Sequence, residues 1–134
     1  MRFFRIYGMT IVLSLLILYL SIIREVPDIP QISFEGLDKV VHFLMYFALA
    51  GVACFELYRQ RHTFAETKMR LIGLYFPIFY GGLIEFLQEN FFPPRTGDWC
   101  DWFADALGAA TAYFIAKKLL PKYVKPEEKG FSCR

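Results

Sequence analysis

Residue types suited to acid–base or metal chemistry lie within otherwise apolar stretches of this chain: His42, Glu85, Gln88, Asp101 and Asp105. A histidine exchanges a proton near neutral pH, and a neighbouring carboxylate can orient it or act as the acid. A histidine with several carboxylates can also hold a divalent metal, which would activate water. These residues are therefore the candidates for a functional site. His42, Glu85 and Asp105 are the candidate catalytic residues, and a divalent metal is the one cofactor left open.

The stretches around these residues are long enough to cross a membrane. Four almost purely apolar runs cover residues 6–23, 40–58, 71–92 and 102–120, and about 20 apolar residues span a ~30 Å hydrocarbon core as a helix. The sequence predicts an all-α polytopic membrane protein, with a four-helix transmembrane bundle over residues 1–120 and a basic, flexible cytoplasmic tail over residues 121–134. The first run is too long for a cleaved signal peptide and lacks a small-x-small motif after it.

The distribution of positive charge predicts the orientation in the membrane. Twelve of the 15 lysines and arginines lie in the N-terminal segment, the second connection and the C-terminal tail. Only Arg24, Lys39 and Arg95 lie on the other side. Because cytoplasmic loops carry the excess of Lys and Arg, we expect both termini in the cytoplasm of a bacterium and the protein in its inner membrane. The sequence has no basic stripe of the kind that binds nucleic acid.

Helix direction places the candidate residues at one depth. The second helix begins near Asp38 and runs inward, the third ends near Phe91, and the fourth begins near Asp101. At ~1.5 Å rise per residue, the polar residues of all three occupy one outward-facing layer about 6–9 Å deep. A layer of polar groups from three helices favours a functional site, because charged groups are costly within a bilayer. The full set of candidate binding residues is Asp38, Lys39, His42, Glu85, Gln88, Arg95, Asp98, Asp101 and Asp105.

Several other residues predict how the helices are built and packed. Asp38 can cap the second helix, and Pro77 predicts a bend in the third. The step from Gly108 to Ala112 permits close helix contact and turns Asp101 and Asp105 towards the bundle. Glu56 is expected to pair with Arg59 or Gln60 or to reach the lipid headgroups.

The three cysteines fall in three different layers: Cys54, Cys100 and Cys133. No pair can reach bonding distance without rearrangement, so we expect no intrachain disulfide.

The order and spacing of the polar residues resemble the VanZ-like family of small bacterial membrane proteins. The matching pattern between residues 37 and 120 is Asp38-Lys39-x-x-His42, Glu85-x-x-Gln88, Arg95 with Asp98, and Asp101-x-x-x-Asp105-x-x-Gly108. The resemblance implies a cell-envelope protein of a family named for an association with resistance to teicoplanin, a glycopeptide antibiotic. The family has no established biochemical activity, and it has Asn at least as often as Asp at the position of Asp105.

Four interpretations of the polar layer remain open. It could bind a lipid headgroup or a lipid-linked cell-wall precursor, with Lys39 and Arg95 meeting phosphate or carboxylate. It could be the site of a membrane-embedded hydrolase or transferase, although no Ser or Cys nucleophile with a motif around it is evident. A proton- or ion-coupled transporter would need polar residues across the midplane, where the spans are apolar. Finally, the charges could pair only to fix helix register, as Asp105 with His42.

Overall fold

The computed structural model describes residues 2–23, 36–59, 66–92 and 98–123, and every element in these ranges is helical. The helices are α1 (Arg2–Ile6), α2 (Gly8–Ile23), α3 (Leu37–Arg59), α4 (Glu66–Arg70), α5 (Phe76–Phe91) and α6 (Trp99–Tyr123), with a π-helical turn (Leu71–Tyr75) between α4 and α5. The prediction of an all-α protein is confirmed for these residues.

Four long helices, α2, α3, α5 and α6, alternate in direction along the chain. His42 of α3 lies beside Asp105 of α6, and Cys54 of α3 packs with Tyr113 of α6, so these two helices are parallel. Helix α5 runs the opposite way, because Gly81 lies near Tyr46 whereas the preceding Gly73 lies near Cys54. Helix α2 is also antiparallel to α3. The amino ends of α3 and α6 therefore lie at one end of the bundle, with the carboxyl ends of α2 and α5.

Helix α3 is the centre of the packing, and α6 is its most extensive partner. Tyr46, Leu49, Ala50, Ala53 and Cys54 are almost fully buried along it. This apolar layer separates the two polar ends of the bundle within the described residues.

A glycine sets the close approach of α3 and α6. A Cβ atom at Gly108 would collide with the backbone carbonyl of Phe43. Ala109 and Ala112 are buried in the same contact, against Ala50. The predicted small-residue contact surface of the fourth helix is confirmed, and it turns Asp101 and Asp105 towards the bundle interior.

Glu56 has partners that the sequence did not predict, and Gln60 lies outside the described residues. Its two carboxylate oxygens accept hydrogen bonds from the backbone N–H groups of Met9 (2.8 Å) and Thr10 (3.0 Å) and from the Thr10 hydroxyl (2.6 Å). These N–H groups lie in the first turn of α2, where no intrahelical acceptor exists. Glu56 thus caps α2 from a neighbouring helix, and Arg59 lies over the Phe55 ring instead. The first predicted span is correspondingly divided, since α1 ends before Tyr7 and α2 begins at Gly8.

The bend predicted at Pro77 takes the form of a π-helical turn. Proline has no N–H to donate and its ring displaces the preceding turn, and just before it the N–H of Phe76 bonds to the carbonyl of Leu71, five residues back. Gly73 in this turn lies against Cys54 and Tyr113. The turn lies at the end of α5 remote from Glu85, so it serves helix packing rather than the polar layer.

Two of the described helical segments are long and apolar enough to cross a membrane: Leu37–Arg59 and Glu66–Phe91. Helix α2 is apolar but shorter, and α6 carries charged residues at both ends. Helix α6 continues through Pro121 to Tyr123, beyond the end predicted for the last span, and residues 124–134 lie outside the described part of the chain.

Cys54 is a buried free thiol and Cys100 an exposed one. Cys133 lies outside the described residues.

Candidate functional site

The site is built around a histidine–aspartate contact between the parallel helices α3 and α6. His42 Nδ1 lies 3.0 Å from Asp105 Oδ1, and the Asp105 side chain is 1% exposed. The contact lies one turn above Gly108, whose missing side chain lets the two backbones approach. The close approach of α3 and α6 near Gly108 therefore brings Asp105 next to His42.

Glu85 adds a second buried carboxylate from the antiparallel helix α5. One donor atom from each of His42, Glu85 and Asp105 lies within 4.8 Å of the others. A second group, formed by Asp38, His42 and Asp101, meets the same criterion and shares the histidine. The structure thus brings together polar residues from three helices that the sequence placed at one depth.

Asp98 joins the start of α6 to the end of α5. Its backbone N–H donates to Glu85 Oε2 (2.9 Å), and its Oδ1 accepts from the N–H of Cys100 (2.8 Å), as an N-cap residue does. The Cys100 N–H and the nearby Lys39 ammonium hold the pKa of the Asp98 carboxyl below its usual range. Asp98 therefore fixes both the helix start and the orientation of Glu85.

Lys39 lies at the exposed rim of the group. Its Nζ is 3.6 Å from Asp98 Oδ2 and 3.7 Å from Asp101 Oδ1. Exposed ion pairs of this length contribute little to stability. Lys39 therefore adds a solvent-exposed positive charge beside the carboxylates. We call Asp38, Lys39, His42, Glu85, Asp98, Asp101 and Asp105 the polar cluster.

Two buried carboxylate oxygens in the polar cluster have no hydrogen-bond partner among the described residues: Asp101 Oδ1 and Asp105 Oδ2. Leaving a buried polar atom unsatisfied costs about 1–3 kcal/mol. Asp105 Oδ2 faces α5, since a Cβ atom at Gly81 would lie 2.8 Å from it. Glu85 follows Gly81 by one turn on that face.

The polar cluster carries an excess of acidic groups. Five of its members are carboxylic acids, and Lys39 is the only member that is cationic at every physiological pH. Such a group attracts cations, amines and hydroxyl donors more readily than anions.

Gln88, another predicted site residue, has a hydrogen-bond partner outside the polar cluster. The side-chain amide of Gln88 donates to the backbone carbonyl of Ser21 (2.9 Å), so it fastens α2 to α5. Arg95 lies outside the described residues.

Tyr46 was not among the sequence candidates but lies directly beneath them. It is 1% exposed and contacts α5 at Gly81, beside Asp105. It follows His42 by four residues, so helical spacing alone puts it on the same face. A tyrosine in an apolar run resembles a core aromatic residue, which is why composition did not single it out.

Trp102 links α6 to α5 beside the polar cluster. Its indole Nε1 donates to the carbonyl of Ile78 (3.0 Å) and packs against Gly82, so it ties α6 to α5 beside the cluster. Trp99 is largely exposed, as an interfacial residue would be.

Comparisons of the chain with protein-family models, with curated proteins and with solved structures found no match.

Proposed function

We propose that this is a four-span protein of the bacterial inner membrane whose polar cluster binds a polar headgroup at the outer face. The headgroup would belong to a phospholipid or to a lipid-linked cell-wall precursor. The proposal rests on the position of the polar side chains, which lie together at one end of an otherwise apolar bundle. Among them, Asp105 is fully buried and Lys39 is exposed.

The surface of the bundle supports a lipid environment. Large apolar side chains project outward from all four long helices; on α5 and α6, Phe79 is 75%, Phe103 65% and Phe114 64% exposed. Within an apolar 18-residue stretch of each segment that is long enough to span, only 39% and 33% of the residues are buried. Core helices of soluble proteins are mostly buried, whereas lipid-facing helices expose apolar side chains to the acyl chains.

The remaining two spans are α2 and α6. Helix α6 has 25 residues and carries its acidic residues in its first turns and its lysines near its end. At 1.5 Å per residue it is about 37 Å long, so both sets of charges can reach the headgroup regions. Helix α2 has 16 residues and is apolar. It covers about 24 Å, which requires modest adjustment by the bilayer or by the flanking residues.

Charge supports the orientation. The bundle end opposite the polar cluster carries basic residues: Arg59, Lys68, Arg70, Lys117 and Lys122. Because cytoplasmic segments carry the excess of positive residues, this distribution supports an outer face for the polar cluster and cytoplasmic termini.

The resemblance to the VanZ-like family suggests a cell-envelope ligand. It rests on the motif residues alone, and the family's association with antibiotic resistance is not transferred, because one site layout can serve many ligands. The acidic groups would meet hydroxyls, amines or a cation of the headgroup, and Lys39 with Arg95 would meet its phosphate.

One observation favours an enzyme as a second candidate. The His42–Asp105 contact has the geometry of a general base held by an orienting carboxylate. A hydrolase or transferase acting on a lipid-linked substrate would use His42 as the base and Glu85 as the acid. The apolar layer from Tyr46 to Cys54 separates the polar cluster from the opposite end of the bundle, which argues against a transport path.

Thermal protection in detergent tests the binding proposal. The unfolding temperature would be measured with phosphatidylglycerol, phosphatidylethanolamine or a polyprenyl diphosphate added to the purified protein. We expect at least one of them to raise the unfolding temperature of the wild type and of Glu89→Gln, which changes an exposed carboxylate of the same helix, but not of Glu85→Gln. Equal shifts in all three proteins would contradict binding at the polar cluster. Turnover of a labelled polyprenyl diphosphate, lost in His42→Gln, would favour the enzyme.

A further inference from the structure

We propose that His42, Glu85 and Asp105 form a binding site for a divalent metal ion that accepts both imidazole and carboxylate ligands, such as Zn²⁺. The site is defined by one donor atom from each residue, all within 4.8 Å of one another, on three different helices.

One buried carboxylate oxygen of Asp105, called here the lone oxygen, has no hydrogen-bond donor within the described part of the chain, and this points to a cation. Asp105 is 1% exposed, and no described residue donates a hydrogen bond to its Oδ2 atom. Glu85, 4% exposed, brings a second carboxylate to the same place. Two buried carboxylates side by side repel each other, and a divalent ion would satisfy the lone oxygen and neutralise both.

The distances suit ligands of one ion. Two ligands about 2.1 Å from a tetrahedral ion lie about 3.4 Å apart. His42 Nδ1 lies 3.0 Å from Asp105 Oδ1, so a small side-chain rotation that breaks this contact would let His42 Nδ1 and the lone Asp105 Oδ2 face one ion. The donor atom of Glu85 lies within 4.8 Å of the other two, and a similar rotation would bring it to the ion.

The donor set selects the class of ion. Mg²⁺ and Ca²⁺ take mainly oxygen ligands, whereas imidazole nitrogen favours Zn²⁺ and its neighbours in the transition series. Three protein ligands leave at least one position for water or for an oxygen of a ligand. The surrounding bundle supports the ligands: the Asp98 N–H holds Glu85 Oε2 at 2.9 Å, as the outer partners of metal ligands commonly do.

The second group, Asp38 with His42 and Asp101, is the weaker alternative for the same ion. It is more exposed, and Asp101 lies within 3.7 Å of the Lys39 ammonium, which competes with a cation. A single histidine cannot serve two sites at once through the same nitrogen, so the two groups make different predictions.

Titration with Zn²⁺ alone tests the site. The full-length protein, purified without a histidine tag and treated with a chelator, would be titrated by calorimetry in detergent. We expect one equivalent to bind to the wild type and to Glu89→Gln, an exposed control on α5. Glu85→Gln and Asp105→Asn keep the side-chain shapes and should each weaken binding by at least about tenfold. Circular dichroism and size-exclusion profiles matching the wild type would show that these variants fold.

Three results would overturn the proposal: no stoichiometric Zn²⁺ in the wild type, unchanged affinity in both folded variants, or loss of binding in Asp38→Asn with full binding in Glu85→Gln. If the shape-conserving variants fail to fold, protection of the wild-type His42 from modification by diethyl pyrocarbonate decides instead: protection by Zn²⁺ supports the site, and its absence contradicts it. Because the probe is the metal alone, failure here leaves headgroup binding standing, and failure of headgroup binding leaves this site standing.

Discussion

His42 Nδ1 and Asp105 Oδ1 lie 3.0 Å apart across the contact of two parallel helices, one turn above the point where Gly108 meets the Phe43 carbonyl. The site therefore consists of a polar contact next to a close approach of two backbones. Small residues bring α3 and α6 together, and that proximity buries the aspartate against the histidine. Ion pairing that served only to fix helix register would not require the further carboxylates of Glu85 and Asp101 beside it.

The close approach at Gly108 predicts a large effect of adding one methyl group. Gly108→Ala should lower the unfolding temperature in detergent, because the new Cβ meets a backbone carbonyl that cannot rotate away; overpacking of this kind costs about 1–3 kcal/mol. Gly51→Ala is the matched control, since nothing lies within 4 Å of a Cβ at that position of α3. It should leave the unfolding temperature unchanged or raise it, because alanine favours helix. Equal losses in the two variants would contradict the packing described for α3 and α6.

The cap supplied by Glu56 predicts that α2 depends on a residue of α3. Glu56→Ala leaves the Met9 and Thr10 N–H groups without their acceptor, and loss of a helix cap costs about 0.5–2 kcal/mol. Hydrogen exchange of the first turn of α2 should accelerate, while exchange in α6 stays slow. Glu66→Gln, which removes only an exposed ion pair with Lys117, should leave α2 unchanged. Unchanged exchange in Glu56→Ala would show that the cap does not hold α2.

Much of this organisation was predictable from residue type and spacing, and the exceptions have physical causes. His42, Glu85, Asp101 and Asp105 share a depth because helical rise is constant, and the Gly108–Ala112 step marks a close contact. The cap by Glu56 was not predictable, because it joins residues more than forty positions apart whose pairing depends on where α2 begins. Gln88 likewise has the spacing of a site residue, yet its partner is a backbone carbonyl of α2, which no side-chain pattern reveals.

Asp98 predicts a dependence on pH with a defined sign. Its folded pKa is lowered, chiefly by the Cys100 N–H, so its contribution to stability is full above the ordinary aspartate pKa of about 3.9 and is lost as the pH falls through the lower folded value. Asp98→Ala should therefore reduce the unfolding temperature clearly at pH 7 and less at pH 3. Asp98→Asn keeps a capping oxygen and should lose less than alanine at pH 7. The same deficit for alanine at both pH values would argue against a capping carboxylate.

The natural cysteines test the proposed orientation. Cys100 is exposed at the bundle end that carries the polar cluster, and Cys54 is buried. With Cys54 and Cys133 replaced by Ala, a maleimide that cannot cross the inner membrane should label Cys100 in intact cells. A variant that keeps only Cys133 should react only after the membrane is opened. Labelling in the reverse order would place the polar cluster in the cytoplasm.

Native mass spectrometry tests the central claim most directly, with the protein released gently from its own membrane and metal analysis of the same sample. The account predicts a defined lipid or cell-wall precursor bound to the wild type and to Glu89→Gln and absent from Glu85→Gln. The bound mass would identify the headgroup. A wild-type protein without a specific bound lipid, or a lipid retained equally in Glu85→Gln, would contradict the claim that the polar cluster is a headgroup-binding site.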